Sequence, residues 1–338
     1  MLERINSGEK LPEEKEYDRA LRPKSLNDFV GQSQIKEILE ISIKAAEFRG
    51  EALDHILFYG PPGLGKTTLA NIIANEVNTQ IFVSSGPVLE KPADLAGILT
   101  NLKLKNLFFI DEIHRLNKTI EEYIYPALED YSIEIMVDSG PSAKIFKINI
   151  EPFTMVGATT RAGLLTAPLR TRFGLTFRLD YYTTQEIKHI INRSAKLLEV
   201  PLDGAGTTEI AKRSRGTPRV ANRLLKRVRD FAQIKGKGII TKDIALTSLG
   251  MLNVDQMGFD EMDKRIILTI IENYNGGPVG LKTLSVAVGE DPGTIEEIYE
   301  PYLIQQGFID RTLKGRKVTK KAYDYFKIKN INKQMELF

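Results

Sequence analysis

The segment Gly60-Pro-Pro-Gly-Leu-Gly-Lys-Thr67 has the spacing of a phosphate-binding loop, G-x-x-x-x-G-K-[ST]. Glycines let backbone N–H groups approach phosphate oxygens, and a helix N-terminus behind them favours an anion. In such a loop Lys66 reaches the β- and γ-phosphates and the Thr67 hydroxyl ligates magnesium. An apolar run, His55–Tyr59, enters the loop and a helical pattern leaves it, so a glycine-rich turn without a ligand explains less of the pattern. Farther along, Leu107-Phe-Phe-Ile-Asp-Glu112 reads as a buried strand that delivers Asp111 to the metal. Glu112 beside it is placed to orient or deprotonate an attacking water. Paired acids at a strand end fit hydrolysis better than transfer to a substrate hydroxyl.

Three further stretches carry polar groups that this chemistry can use. Phe153-Thr-Met-Val-Gly-Ala-Thr-Thr160 looks like another central strand, ending in hydroxyls. Thr160 would meet the water or the γ-phosphate; an ordinary strand-end threonine is the competing reading. In Gly216-Thr-Pro-Arg219 the proline opens a helix and Arg219 falls in its first turn. The helix dipole disfavours a cation there, which argues for a local anion such as phosphate. Leu169-Arg-Thr-Arg-Phe-Gly174 sets Arg170 and Arg172 on what reads as a loop, far from a site that already has Lys66.

These residues need a scaffold. Short apolar runs at 55–59, 80–83, 107–110 and 153–156 alternate with helical patterns such as 68–77 and 120–128. That rhythm predicts an α/β domain with a parallel sheet. Thr119-Ile-Glu-Glu122 and Thr183-Thr-Gln-Glu186 have capping-box spacing. Residues 131–150 interrupt the rhythm with two alternating runs around Ser139-Gly-Pro141, the pattern of a protruding β-hairpin. Its Ile133, Ile135 and Val137 share one face, either buried or available for docking. From Thr183 the pattern is helical, with further helices over 205–214, 217–234 and 241–249 and a connector at 253–258. Residues 259–338 change again: an Ile-rich helix, a helix over 281–288, a turn, a helix over 294–306 and a basic hairpin. That order predicts a winged helix, with a small three-helix cap as the alternative.

Bulk properties exclude several classes. Lys and Arg number 47 against 44 acids in 338 residues, so the net charge of +3 is small. The imbalance is local, with basic residues dense over 212–237 and from Arg311 onward. Such blocks are either solvated helix faces or a nucleic-acid contact. The absence of cysteine excludes disulfides and thiolate metal sites. The three histidines, His55, His114 and His189, make no ligand spacing. There is no repeat, no apolar core of signal-peptide length and no run long enough for a membrane span. The expectation is a soluble, cytoplasmic protein with no membrane partner.

The phosphate loop, the Asp-Glu strand, the threonine strand end, the arginine pair and the G-T-P-R helix occur in the order of the AAA+ ATPases, which this chain resembles. Within them it is similar to the bacterial motors of Holliday-junction branch migration. The stretches that carry the likeness are LRPKSLNDFVGQ (21–32), GPPGLGKTTLA (60–70), IMVDSGPSA (135–143), VGATTRAGLL (156–165), PLRTRFG (168–174), GTPRVANRLLKRVRDFA (216–232) and EPYLIQQGFIDRTLKGR (300–316). They span essentially the whole chain. The resemblance implies a large ATPase domain over 1–182, a small helical lid over 183–253 and a winged-helix head over 254–338. It implies ATP and Mg2+ as ligands, with Leu21 and Arg22 lining the adenine pocket. Gly63, Lys66, Thr67 and Thr68 would hold phosphates and metal, with Asp111 and Glu112 as metal and water carboxylates. Thr160 and Arg219 would be the two sensors, and Tyr182 would lie beside the nucleotide. Glu129, Asp130 and Tyr131 would lie near a nucleotide across a subunit boundary. Arg172 would be an arginine finger completing a neighbour's site in a homohexamer, with Arg170 either sharing that task or pairing within its loop. DNA repair and recombination would be the setting, with RuvA docking on the 131–150 hairpin and RuvC joining a resolving complex.

The candidate recognition helix offers a separate argument about DNA. It carries Glu296, Glu297 and Glu300, which phosphates repel, whereas the hairpin Arg311-Thr-Leu-Lys-Gly-Arg-Lys317 is basic. The wing is therefore expected to touch phosphate, without sequence preference, and the resemblance points to Arg311 and Arg316. Other readings remain open. A clamp-loader subunit would be expected to end in a helical collar. A nucleotide-gated DNA-binding regulator has no use for Glu112. A small-molecule kinase leaves 259–338 unexplained.

Overall fold

The computed structural model describes residues 20–137 and 144–328. The chain divides into two compact units, one spanning Arg22–Asp180 and one that begins at Tyr181 and also takes in Leu21.

The first unit is built on a five-stranded parallel sheet. Its strands are β1 (Ile56–Tyr59), β2 (Ile81–Ser85), β3 (Leu107–Asp111), β6 (Thr154–Thr159) and β7 (Leu175–Arg178), in the order β2-β3-β6-β1-β7. The central strands are buried on both faces: Phe58, Phe108, Phe109 and Val156 have no exposed surface. That is why they read as continuous apolar runs and not as alternation. The helix predicted over 68–77 runs Lys66–Glu76, and the one predicted over 120–128 runs Lys118–Glu129. Its cap is Asn117, whose side chain accepts from the Ile120 amide, and not the capping box expected at Thr119. Helices Ser33–Arg49 and Pro92–Leu99, and the strand β7, were not among the predicted elements. In β7 only Phe177 is buried, which leaves too little apolar pattern to show in the sequence.

The antiparallel pair β4 (Ser132–Val137) and β5 (Lys144–Asn149) forms the expected hairpin, in the register Ile133↔Ile148 and Ile135↔Phe146. Its turn, Ser139-Gly-Pro141, lies outside the described residues, as do the side chains of Ile135 and Val137 and the basic residues beyond 328. Ile133 is buried in the core of the unit, whereas Phe146 and Ile148 are exposed.

The second unit opens with four helices, Thr184–Leu197, Gly204–Lys212, Pro218–Lys235 and Lys242–Met251. The capping box at Thr183 and Glu186 forms as predicted. Then come Glu261–Asn273, Leu281–Val288, a third helical stretch over 292–305 that includes a π-turn at Ile295–Tyr299, and the hairpin β8 (Ile309–Thr312) and β9 (Gly315–Val318). A bridge from Val279 to Arg316 supplies the third strand position of a winged helix. One aromatic and aliphatic core, with Phe259, Ile266, Ile270, Tyr299, Leu303 and Phe308, holds this head together.

Candidate nucleotide site and DNA-facing wing

Strand order explains the first site. Because β3, β6 and β1 are adjacent and parallel, their carboxyl ends bring together Asp111, Thr160 and the loop after Tyr59. Open parallel sheets bind ligands at that edge. Gly60 turns the chain into the loop at φ 136, and a Cβ there would sit 2.5 Å from the Leu179 carbonyl oxygen. Only glycine fits this position. Lys66 is buried, and its ammonium donates to the carbonyl oxygens of Gly60 (2.7 Å) and Pro61 (2.9 Å). Gly63 and Thr68 are partly exposed in the loop and in the first turn of the helix.

The Thr67 hydroxyl donates to Asp111 Oδ2 at 3.4 Å, which places two hard oxygen ligands side by side. No cluster of three or more acidic, histidine or cysteine side chains suited to a metal exists among the described residues. The donor set fits a magnesium ion, which binds through one or two side chains plus substrate phosphates and water. Beyond Asp111 the backbone of Glu112 is left-handed, at φ 48 and ψ 46, and its amide donates to Asp111 Oδ1 at 3.0 Å. Thr160 Oγ1 donates to Glu112 Oε2 at 3.2 Å, so the threonine just past β6 and the acid are in direct contact. His114, which makes no ligand spacing in the sequence, comes within 3.2 Å of the same oxygen. The only signal for it was its position two residues after Glu112.

His55 takes no part in this site. Its Nδ1 accepts from the Met155 amide at 3.0 Å and its Nε2 faces the Leu128 carbonyl at 3.1 Å, so it ties strand to helix. Burial holds its pKa below the usual histidine value.

Arg170 lies in a short helix, and Arg172 lies in the turn directly after it. It caps the short helix Ala167–Thr171, which Thr166 opens by accepting from the Leu169 amide. Its guanidinium lies 4.2 Å above the Tyr125 ring, pairs with Glu129 at 2.9 Å and donates to the Pro168 carbonyl at 2.6 Å. The Tyr125 hydroxyl is itself tied to Glu121 at 2.6 Å, which steadies the ring. The Arg172 Nε is buried without a hydrogen-bond partner among the described residues. Arg170 is exposed in the last turn of that helix. Asp130 is exposed and 3.8 Å from Lys147, and the Tyr131 ring packs edge-on against His55 and Phe153.

Arg22 is half-buried in the first unit, whereas Leu21, Tyr182 and Arg219 belong to the second. Leu21 is buried and its carbonyl accepts from Arg193 at 2.8 Å. Tyr182 is buried and its amide donates to the Gly216 carbonyl at 2.9 Å. Arg215 and Gly216 are both left-handed, at φ 55 and 63, and this double turn aims the chain into the helix Pro218–Lys235. Arg219 is exposed in its first turn, where no acid offsets it.

The wing requires one correction. Arg311 is exposed (57%) and pairs with Glu296 at 2.9 Å. Arg316, expected to meet phosphate, faces inward: it is buried and makes a two-pronged pair with Glu300, which is itself 1% exposed. A buried carboxylate needs a charged partner, and the guanidinium fork supplies it. The wing's solvent-facing cations are therefore Arg311, Lys314 and Lys317. Arg311→Ala is expected to weaken duplex binding evenly across sequences and to lower the salt slope of log K by about one. Fluorescence anisotropy titrations on unrelated duplexes over a salt series would read this; a loss confined to one sequence would contradict it.

Three family models match successive segments of the chain. Residues 21–179 match the Holliday junction DNA helicase RuvB P-loop domain, 182–255 the RuvB AAA lid domain and 256–327 the RuvB C-terminal winged helix domain. The Holliday junction branch migration complex subunit RuvB of Salinibacter ruber is 61% identical over 311 residues, covering 92% of this chain and 90% of that one. The corresponding subunit of Flavobacterium johnsoniae is 58% identical over 326 residues and 96% of both chains. The solved structure of the Thermotoga maritima RuvB Holliday junction branch migration motor superposes with a TM-score of 0.85 at 52% identity, covering 92% of this chain and 99% of that one. With a loop, sheet, lid and wing that match over nearly its full length, the chain belongs to the RuvB family of AAA+ P-loop ATPases.

Proposed function

We propose that this ATPase drives branch migration of Holliday junctions in recombination and repair, as a cytoplasmic homohexameric ring that moves duplex arms together with RuvA. RuvC would join when the junction is resolved. The observation that carries the reading is Glu112, held by Thr160 beside the Thr67–Asp111 pair. A switch protein has no need of a positioned water-activating carboxylate, whereas a motor that consumes nucleotide does.

In this reading Lys66, Gly63 and Thr68 bind the phosphates, and Thr67 and Asp111 hold Mg2+. The ion, when bound, neutralises phosphate charge. Glu112 takes a proton from the attacking water and Thr160 fixes its direction. Leu21, Arg22 and Tyr182 are assigned to the base, and Arg219 to sensing the phosphates, as the likeness to the RuvB family implies. Arg172, with Glu129, Asp130 and Tyr131, completes the site of the adjacent protomer. The wing holds the DNA backbone through Arg311, Lys314 and Lys317, which suits a motor that must pass over every sequence.

ATP turnover against protein concentration, with and without a four-way junction and RuvA, tests this. Specific activity is expected to rise as rings assemble and again with junction and RuvA. A specific activity that stays flat down to the monomer would sink it.

RuvA docking is assigned to the exposed apolar pair Phe146 and Ile148 on β5. Phe146→Ser is expected to weaken RuvA capture by about tenfold or more while leaving RuvA-independent ATP turnover intact. Equal capture by the variant in a surface-plasmon measurement would remove the hairpin from the interface.

A further inference from the structure

Two side chains converge on one oxygen of Glu112. The Thr160 hydroxyl donates to Oε2 at 3.2 Å, and His114 Nδ1 lies 3.2 Å from the same atom. An ionised carboxylate only accepts, so this approach is attractive when Nδ1 carries the proton. The ring has little freedom to leave. Its side chain is 6% exposed, and Nδ1 is also 2.9 Å from Thr159 Oγ1, so a single Nδ1 proton is shared between the two oxygens. Thr159 is fully buried and its oxygen accepts from the Arg161 amide at 2.9 Å. Successive residues at the end of β6 thus hold both members of the pair: Thr160 holds the acid and Thr159 holds the histidine.

The backbone agrees with this arrangement. Glu112 is left-handed at φ 48, a conformation that persists in a non-glycine residue only where its surroundings over-determine it. Gly86 presses on it from the other side, since a Cβ there would fall 2.5 Å from the Glu112 carbonyl oxygen. A fixed polar neighbour approaching Oε2 from a second direction limits how far the carboxylate can swivel about the Thr160 hydrogen bond.

We propose that His114 is a positioning residue for Glu112: with its proton on Nδ1 it joins Thr160 in fixing Oε2, which sets how the carboxylate faces the attacking water. The proposal rests on the role given to Glu112 above. Burial, with Arg161 and Arg115 nearby, holds the His114 pKa below its usual value, so the ring orients the carboxylate without an added positive charge that would weaken it as a base.

The test uses the full chain with RuvA and a four-way junction. His114→Ala is expected to lower kcat for ATP by about 10–100-fold, the usual cost of removing such a partner. KM for ATP and the affinity for N-methylanthraniloyl-ATP should stay unchanged. His114→Asn, whose amide N–H falls where Nδ1 stood, should recover most of the rate; His114→Gln, which reaches toward the Nε2 position, should not. Full turnover by His114→Ala overturns the proposal, as does loss of nucleotide affinity in step with kcat, or equal failure of the Asn and Gln variants. Should His114→Ala not fold, Thr159→Val removes the support behind the ring; a smaller kcat loss at constant KM is expected, and an unchanged kcat overturns the proposal. Glu112→Gln separates the two claims. If it turns over normally, the role of Glu112 fails; if it is dead while His114→Ala is unimpaired, only the inference about His114 fails.

Discussion

Arg172→Ala is expected to bind ATP as well as the parent chain does and to hydrolyse it about 10³–10⁵-fold more slowly. The size of the effect follows from where charge develops. Lys66 sits in its own loop and acts on the ground-state phosphates, whereas a second guanidinium counts most when transition-state charge builds on the γ-phosphoryl oxygens. Arg172 is held by Glu129, Tyr125 and the Pro168 carbonyl, on a helix end separate from the loop that contains Lys66. Its Nε has no partner among the described residues, so the present contacts do not use the full donor capacity of the side chain. Equilibrium binding of a fluorescent ATP analogue, beside steady-state turnover, separates the two effects. Loss of binding would place Arg172 in its own pocket and refute the trans assignment. Mixing supplies a sharper test. Arg172→Ala keeps an intact pocket and Glu112→Gln keeps an intact arginine, so mixed rings should recover turnover that neither variant shows alone. Silence in the mixture would count against assembly-dependent catalysis.

Asp263→Ala is expected to cost about 3–5 kcal/mol in the second unit, the range for breaking one side of a buried ion pair. Asp263 has no exposed surface and carries two loads. Its carboxylate accepts from the Asp260 amide at 2.8 Å, which completes the capping box of the helix Glu261–Asn273. It also takes the guanidinium of Arg215 in a two-pronged pair, while Arg215 Nε donates to the Gly258 carbonyl at 2.8 Å. Removing the acid leaves a buried guanidinium with Asp260 at 3.5 Å and the Tyr302 ring at 5.2 Å. Replacing both partners by apolar residues is expected to cost far less, because no buried charge is then left behind. Urea unfolding followed by circular dichroism would measure both. A double variant as unstable as the single one would mean that the cost lies in packing and not in charge. The pair also has a functional position. Arg215 immediately precedes the Gly216-Thr-Pro-Arg219 turn, so the residue that locks the winged-helix head to the lid adjoins the one proposed to sense phosphate.

Much of this molecule could be read before any coordinates were known, and the reason is locality. A phosphate loop is a run of eight residues whose glycines and lysine act within one turn, and a doubly buried parallel strand leaves an unbroken apolar run. The helical lid and the winged helix announce themselves by periodicity and by caps such as Thr183 with Glu186. What the sequence could not show is how one residue's surroundings consume its chemistry. Arg311 and Arg316 look alike as letters, yet the first is exposed and the second is bound to Glu300 because that carboxylate is buried and must be neutralised. His114 looked unattached because Thr159, its partner at the end of β6, lies far away along the chain. Arg170 read as a loop residue because a five-residue helix is too short to show a period. Types and local spacing set the chemistry available to this chain; burial and the meeting of distant strands, which depend on three-dimensional packing alone, decided which side chains are left to perform it.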